Sequence, residues 1–206
     1  SAICDAVVMF ADLRGYTSLS EALPPRRVVT LLNEFFALLV DTAHRHEGTT
    51  ISMAGDCLMI AFGVPFAQPD AADRAVATAL ACRQAFAHGA ARWSREHGVE
   101  VGLGIGINGG EVIAGNVGAP AYMSYTLIGD VVNVAARLTA RARDGEILMT
   151  EAIGCRLDIA VPALSTLHDV QLKGRSAAID VLCATAPQRP HAIGANARGG
   201  LTKFVG

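Results

Sequence analysis

Two aspartates stand where carboxylates can meet. Asp12 follows the β-branched apolar run Ala6–Phe10, and Asp56 occupies the Ala54-Gly55-Asp56 break between the apolar runs Ile51–Met53 and Cys57–Phe62. Pairing of those strands brings both carboxylates to one end of a sheet. Such a pair can hold divalent cations, because hard Mg²⁺ takes one or two carboxylates together with phosphate oxygens. Either aspartate alone reads as an ordinary turn or cap residue. Asn133 and Arg137 lie four apart in the apolar-periodic segment Val131–Arg143, and therefore share one face of a helix.

Gly104-Ile-Gly106-Ile-Asn-Gly109 spells G-x-G-x-x-G, with Asp130 at the distance of a dinucleotide-binding acid. The mechanism of that fingerprint requires a helix N-terminus directly after the glycines to hold a pyrophosphate. The segment that follows, Gly110-Glu-Val-Ile-Ala-Gly115, is β-branched and broken by glycine, so a turn between strands is the expectation here.

The elements that must position these residues follow from periodicity. Ala6–Phe10 reads as a buried strand. Pro24 and Pro25 pre-set a helix whose Val28, Leu31, Leu32, Phe35, Leu38 and Leu39 form one apolar face, ending near Gly48. Ile51–Phe62 reads as a hairpin, and Pro69–His97 as an alanine-rich helix stopped by Gly98. Val101, Leu103, Ile105 and Ile107 alternate with Gly102, Gly104 and Gly106, giving a strand with one apolar and one bare face, which something must approach closely. Val112–Ala114 and Tyr122–Leu127 read as further strands, Val131–Arg143 as a helix, and Val170–Leu172 with Ile179–Leu182 as a closing pair. This order predicts an α+β fold, a ferredoxin-like α/β sandwich with an appended subdomain.

Composition narrows the classes. With 206 residues, 51% of them apolar, the chain can bury one good-sized core. Its net charge of −2 comes from interspersed signs, without the basic stripe of a nucleic-acid binder. No apolar run has the length of a membrane span, and none resembles a secretion signal. Cys4, Cys57, Cys82, Cys155 and Cys183 are odd in number and never spaced C-x-x-C, which suits reduced, core-packed thiols in a cytoplasmic protein. The six histidines form no H-E-x-x-H, and His44 and His46 fall at a helix end, where cations sit favourably against the macrodipole. From Ala186 the chain turns to Pro, Gly, Ala and Arg without periodicity, so a catalytic domain over 1–185 and a disordered linker over 186–206 are expected.

Three segments carry a family resemblance. Phe10-Ala-Asp-Leu-Arg-Gly-Tyr-Thr17, Gly55-Asp-Cys-Leu-Met-Ile-Ala-Phe-Gly63 and Tyr125-Thr-Leu-Ile-Gly-Asp-Val-Val-Asn-Val-Ala-Ala-Arg-Leu138 resemble, in order and spacing, the signatures of class III adenylyl and guanylyl cyclase catalytic domains. Leu172-Lys-Gly174 fits a fourth, shorter one. The resemblance implies two divalent cations, Mg²⁺ or Mn²⁺, on Asp12, Asp56 and the carbonyl of Leu13. It implies phosphate contacts from the turn Arg14, Gly15, Tyr16 and Thr17 and from Lys173. Asn133 would orient the ribose, and Arg137 would stabilise charge on the reacting phosphate. It also implies a head-to-tail homodimer, with the metal residues of each site from one subunit and Asn133 and Arg137 from the other.

The sequence departs from the family at the base. Adenylyl cyclases of this kind carry a lysine where Ser52 stands, guanylyl cyclases a glutamate, while Thr126 fits the bacterial adenylyl pattern. Two hydroxyls can serve adenine, Ser52 donating to N1 and Thr126 accepting from the N6 amino group, whereas guanine favours a carboxylate absent here. ATP is therefore the expected substrate. GTP is the alternative, as is a domain that binds nucleotide without turnover. No Gly-Gly-Asp/Glu-Glu-Phe turn of the diguanylate cyclases occurs. Leu201–Gly206 resembles the start of the ATPase module that follows some cyclase domains, so other domains of a larger parent protein are expected as partners, with neither membrane nor nucleic acid contacting this fragment.

Overall fold

The computed structural model of the chain describes residues 1–174 and 177–185. The tail expected at 186–206 lies outside the described residues.

Strand β1 (Ala2–Arg14) is the spine of the fold. Val7, Met9, Ala11 and Leu13 are buried on one face, Ala6 and Val8 on the other, as happens when a strand is covered on both sides. The strand is longer than Ala6–Phe10, and Asp12 lies within it rather than after it. Gly15, at φ 83, breaks the strand and starts a short helix, α1 (Tyr16–Ala22). Arg14–Thr17 is thus not a free turn: it comprises a strand end, a left-handed glycine and the first helical turn. Helix α2 (Pro25–Arg45) begins with Pro25 at its first position and buries Val28, Leu31, Phe35 and Leu39. Strands β2 (Thr49–Ala54) and β3 (Cys57–Phe62) form the expected hairpin. Helix α3 (Ala71–His97) ends at Gly98 in the left-handed region, φ 66.

Strand β4 (Gly102–Ala119) joins two segments read from the sequence as separate strands. The turn expected at Gly104–Gly109 is absent. Those residues lie inside β4, paired residue by residue with β1 from Gly102 to Ala114, and the continuous ladder outweighs the local weakness of the glycines. No helix follows, so the dinucleotide fingerprint has no anion-binding terminus. The antiparallel order β2-β3-β1-β4, with α2 and α3 packed on one face, is the ferredoxin-like half of the molecule.

The appended part begins with β5 (Tyr122–Ile128), which folds back on β4 beyond the end of β1. Helix α4 (Asp130–Arg141) then covers the second face of the sheet. Strands β6 (Ile147–Thr150), β7 (Leu164–Val170) and β8 (Ile179–Ala184) extend the sheet in the order β4-β6-β8-β7, with the single-turn helix α5 (Glu151–Gly154) after β6. Periodicity missed β6 because four apolar residues show no period, and it missed α1 because its seven residues bury only Leu19. The closing pair is displaced from the sequence reading: β7 precedes Gln171, and only Val170 pairs with Ile179 at that end. No helix among the described residues is long and apolar enough to cross a membrane. All five cysteines are free. Cys82 and Cys183 are buried, but Cys4 and Cys57 are only half-buried and Cys155 is exposed, so the thiols are not all core residues.

Candidate active site

The bare face of β4 determines where α4 sits. A β-carbon on Gly106 would lie 2.3 Å from the Thr139 nitrogen and 2.5 Å from the Ala135 carbonyl oxygen, so the helix backbone rests directly on the strand. Thr139, 3% exposed, donates to the carbonyl of Ala135 at 2.9 Å and to that of Phe10 at 3.4 Å, tying α4 to β1. Val134, Ala135 and Leu138 fill the buried side of the helix. Asn133 and Arg137 consequently face away from the sheet.

Asp12 lies opposite Cys57 on β3 and Gly104 on β4. Gly55, at φ 61, makes the tight turn that presents Asp56, and the N–H of Leu13 donates to the Asp56 carbonyl at 3.2 Å. That bond fixes the hairpin turn against β1, so the two carboxylates share one corner as expected. Burial raises the Asp12 carboxyl above its usual range; the Arg14 guanidinium opposes this, and the Asp56 charge adds to it. The Leu13 side chain is buried in the main core, leaving only its backbone for a ligand role. Among the described residues no group of three or more His, Cys, Asp or Glu side chains converges as a metal cage. Two mutually repelling carboxylates at one corner fit Mg²⁺ or Mn²⁺, which fill the rest of their shell with water and phosphate oxygens. Burial, with the charges of Asp12 and Asp56, pushes the Cys57 thiol up to about 12.

Arg14 has a role that the sequence did not reveal. Its guanidinium lies over Gly104, donating to Asp12 Oδ2 and to the carbonyl of Thr139. The side chain therefore neutralises Asp12 and latches α4 rather than projecting toward a ligand. The glycine at position 104 was the available signal, because a bare strand face must be covered by something. Gly15, Tyr16 and Thr17 begin α1, where the first backbone N–H groups have no intrahelical acceptor.

Arg137 and Lys173 line one cleft of about 430 Å³ between α4 and the segment after β7. Gly174, at φ 77, turns the chain so closely that a β-carbon there would stand 3.3 Å from Arg137 Nη2. Among the described residues no side-chain hydrogen bond or ion pair engages Asn133, Arg137 or Lys173, and none joins them to Asp12 or Asp56. Ser52 is exposed on β2 beside an irregularity that shifts register between Thr50 and Ser52, and Thr126 is half-buried on β5 opposite Gly115. Their chain neighbours Ile51 and Leu127 pack into the same apolar cluster, which draws the two hydroxyl-bearing segments toward one region.

Known proteins resemble this chain in sequence or in fold. Two uncharacterized proteins of Mycobacterium tuberculosis are 43% identical over 143 residues and 41% identical over 138 residues, matching 68% and 67% of the chain. The matched region spans only about a quarter of those relatives, 25% and 24% of their length. The adenylyl cyclase CyaB from P. aeruginosa superposes with TM-score 0.85 at 30% identity, over 91% of this chain and 97% of that one. The guanylyl cyclase Cya2 superposes with TM-score 0.81 at 29% identity, over 93% and 96% of the two chains. The model of the adenylate and guanylate cyclase catalytic domain matches residues 2–184, nearly the whole described chain, and the chain belongs to that family.

Proposed function

We propose that this domain converts ATP to 3′,5′-cyclic AMP and pyrophosphate at two sites shared across a head-to-tail homodimer. The observation that carries the reading is the division of the site residues. The carboxylates of Asp12 and Asp56 stand at one corner of the sheet, while Asn133, Arg137 and Lys173 project from the outer side of α4 and the adjoining segment with no partner among the described residues. A second copy can supply each half with the other, and two-fold symmetry then makes two equivalent sites. The hairpin of β4 and β5 supports pairing, because Val117, Tyr122, Met123 and Ile128 are exposed along it, Tyr122 to 77%.

In the reaction, the ribose 3′-OH gives up its proton to water, a bond forms from the 3′ oxygen to the α-phosphorus, and the bond from that phosphorus to the β-phosphate bridge breaks, so pyrophosphate leaves. Asp12, Asp56 and the Leu13 carbonyl would hold two divalent cations, which supply Lewis-acid charge at the attacking and departing oxygens when bound. Asn133 orients the ribose. Arg137 offers a planar, permanently charged donor to the reacting phosphate. Lys173 and the first N–H groups of α1 hold the terminal phosphates. Ser52 and Thr126 meet the adenine edge, and the cytoplasm, where ATP is abundant, is the compartment that suits the reaction. GTP is the second reading, favoured by the comparable likeness to a guanylyl cyclase and by the lack of a lysine at position 52.

The deciding experiment incubates the protein with ATP or GTP and Mg²⁺ or Mn²⁺ and identifies the cyclic product by mass. Cyclic AMP in excess is the expected result. Cyclic GMP in excess selects the second reading, and no product from any combination refutes catalysis by this domain.

A further inference from the structure

The cleft that holds Arg137 and Lys173 contains a third cation. Arg141, the last residue of α4, lines it one helical turn beyond Arg137, and the small side chains of Ala136 and Ala140 line the same wall and leave it open. Four residues span about 6 Å along a helix axis, comparable to the reach of a triphosphate from its first to its last phosphorus. No carboxylate lines this cleft among the described residues, and no side-chain hydrogen bond or ion pair among them engages Arg141. Like charges four apart on a helix repel, and three cations on one small concave surface without a counter-charge constitute a receptor for a polyanion. Arg141 also borders a neighbouring cleft with Arg143 and His168, but that one includes the carboxylate of Glu146, which accepts from the Arg143 N–H at 2.8 Å. The first cleft is the more purely cationic.

We infer that Arg141 is a substrate-binding residue, contacting the terminal phosphates of the nucleotide and the pyrophosphate released from it. The inference rests on the cyclase reading for the identity of the polyanion. The alternative role for an arginine at a helix C-terminus is to offset the macrodipole, which acts on stability and not on ligand affinity.

The test is calorimetric titration of inorganic tripolyphosphate, in excess Mg²⁺, into the wild-type domain, Arg141→Gln and Arg141→Lys, with Arg95→Gln on α3 as a control for net charge. Arg141→Gln should weaken binding about ten-fold, the size of one charge-assisted hydrogen bond, with Arg141→Lys in between and Arg95→Gln within about two-fold of wild type. In turnover assays Arg141→Gln should raise KM for the nucleotide more than it lowers kcat. An affinity unchanged in Arg141→Gln, or equally weakened in Arg95→Gln, overturns the inference, as does a wild-type domain that binds no tripolyphosphate. Loss of tripolyphosphate affinity in a protein that makes no cyclic product leaves the cradle standing and removes the catalytic reading; turnover with unchanged affinity does the reverse.

Discussion

Gly106→Ala tests the seat of α4 directly. The added methyl would stand 2.3 Å from the Thr139 nitrogen, whereas ordinary contact begins at 3.4 Å, so the helix must retreat by about 1.1 Å. The obstacle is backbone, which cannot rotate aside as a side chain does. Retreat loosens Val134, Ala135 and Leu138 in two apolar clusters and the Thr139 bonds to β1. Overpacking of this kind costs about 1–3 kcal/mol, a fall in melting temperature of roughly 2–12 °C for a domain of this size. Asn133 and Arg137 ride on the displaced helix, and a shift of about 1 Å in catalytic groups lowers turnover by about a hundred-fold. Far-ultraviolet circular dichroism melts and cyclic-product assays read both effects. Gly89→Ala inside α3 is the control: its methyl meets Leu38 Cδ1 at an ordinary 3.8 Å, and the substitution should stabilise by about 0.5–1 kcal/mol. A Gly106→Ala protein with wild-type melting and turnover would show that α4 is not seated on this strand.

Asp12→Ala and Arg137→Ala should each be inactive alone, yet an equal mixture with proven subunit exchange should recover about a quarter of wild-type activity, since half of the dimers regain one of two sites. A mixture as inactive as its components would show that the residues act within one chain. Ser52→Lys should raise the ATP/GTP turnover ratio by about ten-fold, because an obligate cationic donor suits adenine N1 and opposes the guanine N1–H. An unchanged ratio would remove Ser52 from the base. Alkylation of the folded protein near pH 8, followed by peptide mass, should label exposed Cys155 and spare Cys57 and Cys82, whose thiols lie at about 12. Equal labelling of Cys57 would contradict its placement beside the two carboxylates.

Helices α2 and α3 and the β2–β3 hairpin were legible in the sequence, because each carries a strong local signal: the apolar face of α2, the stop at Gly98, the turn at Gly55 and Asp56. The family was legible as well, since long ordered motifs are recognised by residue type without reference to space. Alternating glycines showed that something must approach β4, but not that Arg14 and the backbone of α4 do so. The length of β4 was hidden because a strand's continuity depends on its partner's ladder, and β1 pairs with it straight through the glycines. Strand β6 was hidden because a four-residue apolar run has no period until β4 and β8 flank it. Packing between elements settled that Arg14 turns inward to Asp12, and that Asn133 and Arg137 lie on the side of α4 turned away from the sheet. Those orientations follow from which face of a helix is buried and against what, and that is settled by packing between segments far apart in the chain.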